Sequence, residues 1–267
     1  MTALCVFAAV LALWLFLIFP SPKRHRIDSW RGRLLAHRGL HDADHGIIEN
    51  TLPAFEAACR SGYGIELDIQ FTRDKKVVVF HDDDLTRLCG DERLVRQVDY
   101  EELKTMRPGG GAQPIPTLSQ VLSAVGGRAP LLIELKNGPD NALLCQALVA
   151  HLKDYRGEYI VESFSPFIVA WFRCHAPQIP RGQLCTSPRG YRPKVPWIGG
   201  CALSALLFNC LARPDFIAYD ASARCLGPLL QRLLFHTPRA AWTVRNGALL
   251  AAARKKGDMA IFESIRP

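Results

Sequence analysis

Beyond an uncharged opening, short apolar runs alternate with longer amphipathic stretches along most of the chain. Eight of the short runs have the length and composition of buried strands: 34–37, 64–68, 131–135, 159–162, 182–185, 216–219, 241–244 and 259–262. Helical periodicity lies between most of them. Eight strands alternating with helices predict an α/β fold, a closed (β/α)8 barrel, with a doubly wound open sheet as the alternative. One run breaks the pattern. The stretch 76–81 is strand-like but follows 69–72 within a few residues, too soon for a parallel crossover. It therefore predicts an antiparallel hairpin after the second strand, turning at Arg73-Asp74-Lys75, with Glu66 opposite His81 and Asp68 opposite Val79. Residues 85–113 read as an excursion with a short helix at 99–106, and another helix is expected near 119–125. A nearly uncharged run at 198–211 is expected to be a buried barrel helix, or else an element touching a membrane beside the pocket.

Residues 2–20 carry no charge, and Lys23, Arg24, Arg26, Arg31 and Arg33 follow them. At ~1.5 Å per residue this run would be about 28 Å long as a helix, close to the thickness of a bilayer core. A secretory signal would be positive first and end at a small-residue cleavage site, so the run predicts one uncleaved transmembrane helix, with a cleaved signal peptide as the main rival. The following basic residues place the domain that follows on the cytoplasmic side. The expected organisation is a membrane anchor at 1–22, a basic linker at 23–32 and one barrel domain at 33–267. The chain has 267 residues, 49% of them hydrophobic, and a net charge of +8. That charge favours acidic partners, namely phosphate substrates or an anionic membrane surface. No arginine-rich arm or nucleic-acid-binding motif is present, so nucleic acid is not an expected partner. The nine cysteines are odd in number and contain no CxxC pair, which favours reduced thiols over a disulfide framework or a zinc site.

Five short motifs fall at or just beyond apolar runs: His37-Arg38-Gly39, Glu49-Asn50-Thr51, Glu66-Leu67-Asp68, His81-Asp82 and Glu134-Leu135-Lys136. In a barrel, the carboxyl ends of the strands carry the catalytic side chains. Glu66 and Asp68, two apart on a strand, point to one face, and Glu134 ends the next strand. Three convergent carboxylates form a hard oxygen site suited to Mg²⁺ or Ca²⁺; structural pairing with Arg38 and Lys136 is the competing reading. His37 and His81 are the candidate general acid and base. Arg38 offers a planar fork for phosphate oxygens and Lys136 a point charge. Asn50 either reaches the pocket or, like Thr51, caps the helix that follows. Trp242 either stacks on substrate or packs in the core. Asp82 either orients a histidine or is solvated at the hairpin end. The other six histidines are read as surface or core groups.

These motifs, in this order, resemble the glycerophosphodiester phosphodiesterase family, and Glu162-Ser163-Phe164 and Ala241-Trp242-Thr243-Val244 resemble its weaker carboxyl-terminal features. The resemblance covers about residues 33–267. It implies a TIM barrel with a hairpin insertion, metal binding by Glu66, Asp68 and Glu134, and acid/base catalysis by His37 and His81. It implies hydrolysis of glycerophosphodiesters to glycerol 3-phosphate and an alcohol, by attack of a substrate hydroxyl on phosphorus and opening of the resulting cyclic phosphate by water. The chain has Glu263 where the family often has an aspartate before Arg-Pro, and that position receives no role. A phospholipase of the C or D type acting on intact or lyso-lipid, and an inactive lipid-binding protein, are the competing functions. The expected partners are therefore a small or lipid-derived phosphodiester and membrane lipids.

Overall fold

The computed structural model describes residues 2–267. The strands run in chain order as β1 (Leu34–Ala36), β2 (Gly64–Phe71), β3 (Val77–Val79), β4 (Asp84–Leu85), β5 (Asp91–Leu94), β6 (Leu131–Leu135), β7 (Tyr159–Ser163), β8 (Arg181–Cys185), β9 (Phe216–Asp220), β10 (Arg239–Val244) and β11 (Met259–Phe262). The helices are α1 (Thr2–Ile18), α2 (Leu52–Arg60), α3 (Thr86–Cys89), α4 (Tyr100–Leu103), α5 (Leu118–Val125), α6 (Asn141–Leu152), α7 (Pro166–His175), α8 (Trp197–Ser204), α9 (Asn209–Ala212), α10 (Leu226–Phe235) and α11 (Gly247–Lys256). The sheet order is β1-β11-β10-β9-β8-β7-β6-β2, and β1 also pairs with β2, so eight parallel strands close the expected barrel.

Alternation along each strand sorts side chains between two layers. On β2 and β6, Ile65, Leu67, Ile69, Leu131, Ile133 and Leu135 point outward and pack with helix residues such as Phe55, Val121, Leu148 and Phe172. Leu132 of β6 points inward, among Leu35, Ile160, Leu184, Phe216 and Ile261. Phe216 fills the interior so closely over Gly182 that a Cβ there would lie 2.2 Å from its ring. Continuing the same inward parity, Glu66, Asp68 and Glu134 lie above this apolar filling, toward the carboxyl rim.

β3 pairs antiparallel with β2 and forms the expected hairpin, but one residue out of the expected register. Val79 faces Ile69 rather than Asp68, and Val77 faces Phe71. The turn is responsible. Thr72 N–H donates to Lys76 O, and Lys75 takes a positive φ of 60°. Phe80 N–H then donates to Asp68 O, so His81 lies just past the ladder rather than opposite Glu66. The excursion contains the short helix α4 and packs Leu85, Val95, Val98 and Leu103 with Val78 and Phe80. The expected helix near 119 begins at Leu118, where Thr117 and Gln120 form a capping box.

Two expectations need correction. The apolar run at 2–20 forms the 17-residue helix α1, and no helix of the described residues is long and apolar enough to cross a membrane. Its apolar side chains are nonetheless exposed: Leu4, Val6, Phe7, Val10 and Leu13 are each more than half accessible. The 198–211 run is not a buried helix. A turn at 205–208 splits it into α8 and α9, and Ile198 is 82% exposed. The basic stretch after α1 is also more than a connector. Residues Arg24–Trp30 form a 3-10 segment that puts Ile27 and Trp30 into the inner apolar layer, closing the amino-terminal end of the barrel.

Candidate active site

The first motif depends on an unusual backbone. After β1, Arg38 has φ 56° and Gly39 has φ 80°, so the chain turns sharply and Gly39 N–H donates to Ala36 O. A Cβ at Gly39 would lie 2.9 Å from the backbone of Ala54, so only glycine lets α2 approach this closely. The turn aims Arg38 N–H at Glu66 Oε2 (3.0 Å) and sets His37 at the cavity wall.

Glu66, Asp68 and Glu134 are buried and converge, with one oxygen from each lying within 4.8 Å of the others. Their alignment follows from the sheet register, which places Asp68 beside Glu134. Asp68 Oδ2 accepts from Asn50 Nδ2 (2.9 Å), and Lys136 Nζ lies 2.9 Å from Glu134 Oε1 and 3.0 Å from Asp68 Oδ1. Burial pushes the Glu66 carboxyl well above its usual range, and the neighbouring carboxylates Asp68, Glu134 and Glu162 add to the shift. Burial also pushes Glu134 up, against the pull of Lys136. At Asp68 burial is outweighed by Lys136, His81 and Arg38, which hold it well below the ordinary value. Glu162, aligned with Glu134 on β7, is buried with Oε2 unpartnered, and its carboxyl is pushed well up by burial and then by Glu134 and Asp68. Four carboxyls thus face only Arg38 and Lys136 as fixed cations. This excess of negative groups, with hard oxygen donors at the spacing of one coordination sphere, fits a divalent cation held by Glu66, Asp68 and Glu134.

Each candidate acid/base histidine stands beside a carboxylate. His81 Nδ1 lies 2.6 Å from Asp82 Oδ1, leaving Nε2 as the nitrogen available to substrate. Asp82 also accepts from Arg87 Nε (2.6 Å), and Arg87 bonds both oxygens of Glu49, which in turn accepts from Arg38 Nη1 (2.7 Å). Burial alone would raise Asp82, but His81 and Arg87 hold it below the usual range. Gln70 Nε2 donates to Phe80 O and Asp82 O, fixing the end of the hairpin. His37 Nδ1 lies 3.5 Å from Glu263 and Nε2 3.9 Å from Glu66. Burial lowers the His37 pKa, against the opposing pull of Glu263. Glu263 also lies 3.5 Å from His41 Nε2 and 2.6 Å from Arg245, and contacts with His37, then with His41 and Arg245, hold its carboxyl far below normal.

His37, Arg38, Glu66, His81, Glu134 and Trp242 share the wall of one cavity of about 220 Å³ at the carboxyl rim. Trp242 packs edge-on against Phe164 (5.6 Å), and its indole N–H is buried without a partner. Asn50 and Lys136 do not reach this wall. Asn50 Nδ2 bonds Asp68, and Lys136 Nζ lies against Asp68 and Glu134, so both groups position carboxylates behind it. Sequence reasoning missed Glu162, Arg87 and the tie of Glu263 to His37, and it read His41 as a bystander. Glu162 was visible as a carboxylate ending an apolar strand; the other positions meet the site only through chain folding.

A model of the glycerophosphoryl diester phosphodiesterase family matches residues 37–225, more than half of the chain. The chain belongs to this family. It is 41% identical over 114 residues to a glycerophosphodiester phosphodiesterase of Bacillus altitudinis, covering 39% of this chain and 45% of that protein. It is 32% identical over 165 residues to a glycerophosphodiester phosphodiesterase of Caldanaerobacter subterraneus, covering 57% and 65%. The matched stretches thus span less than two thirds of these relatives' own lengths. The fold matches the structure of an Oleispira antarctica phosphodiesterase in complex with the product sn-glycerol-3-phosphate, with TM-score 0.70, 22% identity and 88% and 93% of the two chains covered. All five motifs singled out in the sequence lie inside the segment matched by the family model; Trp242 and Glu263 lie beyond it.

Proposed function

We propose that this family member hydrolyses glycerophosphodiesters to glycerol 3-phosphate and an alcohol, using Mg²⁺ or Ca²⁺ held by Glu66, Asp68 and Glu134. The observation that carries the reading is a convergent buried carboxylate trio set between two histidines, each backed by a carboxylate, around one cavity. A bound divalent cation would supply charge neutralisation at the phosphate. The Arg38 guanidinium, on the cavity wall, supplies donors for a phosphate oxygen. His37 and His81 approach the same space from β1 and from the hairpin. One withdraws the proton of the attacking hydroxyl while the other protonates the leaving alkoxide, and the roles reverse when water opens the cyclic phosphate. Asp82 holds the His81 ring with Nδ1 occupied, whereas Glu263 lies 3.5 Å from His37 Nδ1 without a hydrogen bond and offers that ring a nearby negative charge. A protein that only binds lipid has no need of two carboxylate-backed histidines. Trp242, on the cavity wall, offers an indole face to the leaving alcohol.

The reading extends to a place of action, the cytoplasmic face of a membrane. Its support is the exposed apolar surface of α1, the basic residues that follow it, and nine cysteines that are all free thiols, as expected in a reducing compartment. Protease digestion of spheroplasts checks the side: a barrel degraded from outside would place the enzyme there. The activity is tested by measuring glycerol 3-phosphate release from glycerophosphocholine by the purified full chain, with lysophosphatidylcholine assayed in parallel. Release from neither substrate, at any divalent cation concentration, would sink the reading. Turnover of the lysolipid alone would favour the lipase.

A further inference from the structure

A second concentration of unbalanced charge, here positive, lies at the opposite rim from the catalytic cavity. At the amino ends of β8 and β9, a cavity of about 410 Å³ is lined by Lys23, Arg26, Arg173, Arg181 and Arg213, with Phe19 at its edge. Asp215 is the one carboxylate paired into this group. It is fully buried and taken by Arg26, by the Arg181 backbone N–H (3.0 Å) and, at 3.7 Å, by the Arg181 guanidinium. The remaining guanidinium bonds go to backbone carbonyls. Arg26 donates to Pro177 O and Ile179 O, Arg173 to Cys210 O and Leu211 O, Arg181 to Ala212 O and Arg213 O, and Arg213 to Phe16 O and Phe19 O. Carbonyl oxygens orient these groups but do not neutralise them. Five cations therefore face one carboxylate. Arg26 Nε is buried there with no partner. Burial, then repulsion from Arg173, lowers the pKa of Arg213, and Arg181 is lowered by burial with repulsion from Arg26 and Arg173.

The apolar helix α1 leaves the molecule from this same cavity. Its last carbonyl, Ile18 O, accepts from Asn209 Nδ2 (3.1 Å) and Gln231 Nε2 (2.6 Å), and the Arg213 guanidinium lies over the Phe16 and Phe19 rings at 4.7 and 5.4 Å. Phe19 packs on Phe235 at the end of α10, whose Leu226, Leu229, Leu233 and Leu234 are exposed. An exposed apolar face set against a basic pocket matches one environment, the boundary of an anionic bilayer. We propose that the Lys23–Arg26–Arg173–Arg181–Arg213 cavity binds the phosphate headgroup of an anionic phospholipid while α1 and the leucines of α10 enter the lipid. This rests on the membrane location proposed above. It seats the floor of the barrel on the membrane and turns the catalytic mouth toward water, where deacylated phosphodiesters dissolve.

The test is flotation of the full-length protein with phosphatidylcholine vesicles and with vesicles of phosphatidylcholine plus phosphatidylglycerol. Binding to the anionic vesicles is expected to be roughly tenfold tighter and to weaken with salt. The double variant Lys23→Gln, Arg173→Gln should lose that preference, still float on both vesicles through α1, and keep wild-type release of glycerol 3-phosphate from glycerophosphocholine. If the double variant fails to fold, Lys23→Gln alone carries the test, since that side chain is exposed and makes no ion pair; it should lose part of the preference. Equal binding to both vesicles by wild-type protein overturns the headgroup site. So does saturable binding of inorganic phosphate that leaves flotation unchanged, which would make the cavity a site for a soluble anion. Flotation with neither vesicle overturns both the site and the membrane location, while the glycerophosphocholine assay judges the hydrolytic reading independently.

Discussion

At the scale of single residues, the two histidines define the sharpest expectation. His37→Ala and His81→Ala should each lower turnover of glycerophosphocholine by ~10²–10⁴-fold while leaving the melting temperature near wild type, as measured by steady-state rates and circular dichroism. Near-wild-type turnover by either variant would remove that histidine from the mechanism. Asp82 gives an acid-range expectation. Its folded carboxyl is held below its ordinary value, so the stabilisation it gives is complete above about pH 4 and is lost as pH falls below that value. Urea midpoints should therefore drop less steeply below pH 4 in Asp82→Asn than in wild type. The residues legible in the sequence were those whose local spacing already constrains them. Glu66 and Asp68 share a strand face whatever surrounds them, and His81 follows a hairpin that chain length forces. Glu263 and Arg87 were not legible, because Glu263 reaches His37 only when β11 closes the barrel against β1, and Arg87 reaches Glu49 only when the excursion folds back. The partner of Asn50 was not legible for a related reason: its side chain bonds an aspartate eighteen residues away.

At the scale of elements, the strands were recovered almost residue for residue, because a strand buried on both faces reads as a continuous apolar run. Register was not. Periodicity places the hairpin, but the turn at Thr72–Lys76 decides which residues face each other, and a hydrogen-bonded turn with Lys75 in the left-handed region shifts the pairing by one. The tight connection after β1 is the element most sensitive to change. Gly39→Ala would put a methyl 2.9 Å from the Ala54 backbone at a φ of 80°. It should cost about 1–3 kcal/mol in urea unfolding and displace the Arg38 N–H that holds Glu66. A variant as stable and as active as wild type would show that α2 can move away without consequence.

At the scale of the whole molecule, the barrel brings together negative groups that repel each other until a cation arrives. Chelation should abolish hydrolysis, and Mg²⁺ or Ca²⁺ should restore it. The cation competes with protons for the raised carboxyls of Glu66 and Glu134, so the rise in melting temperature on adding it should be larger at pH 8 than at pH 5. Full activity in excess chelator, or a thermal shift independent of pH, would contradict this. The (β/α)8 architecture was legible from element order alone. The closed floor was not, because residues 24–30 have the composition of a linker and become core only when Ile27 and Trp30 meet the ends of eight strands.

That floor makes the recognisable catalytic region smaller than the unit that folds. A chain cut back to Arg33 keeps every motif, and the family match begins later still, at residue 37. Yet it would open the inner apolar layer to water and forfeit the burial of Ile27 and Trp30, roughly 1.5–3 kcal/mol apiece. A chain begun at Ser21 keeps both. The first should melt at the lower temperature of the two and bind more of a fluorescent dye for exposed apolar surface, although the second also gives up buried Ile18, whose carbonyl Asn209 and Gln231 bond. The same boundary decides the outcome of proteolysis. A cut just after α1 would leave the barrel its base, whereas a cut a dozen residues later would remove that base and open the inner layer to degradation.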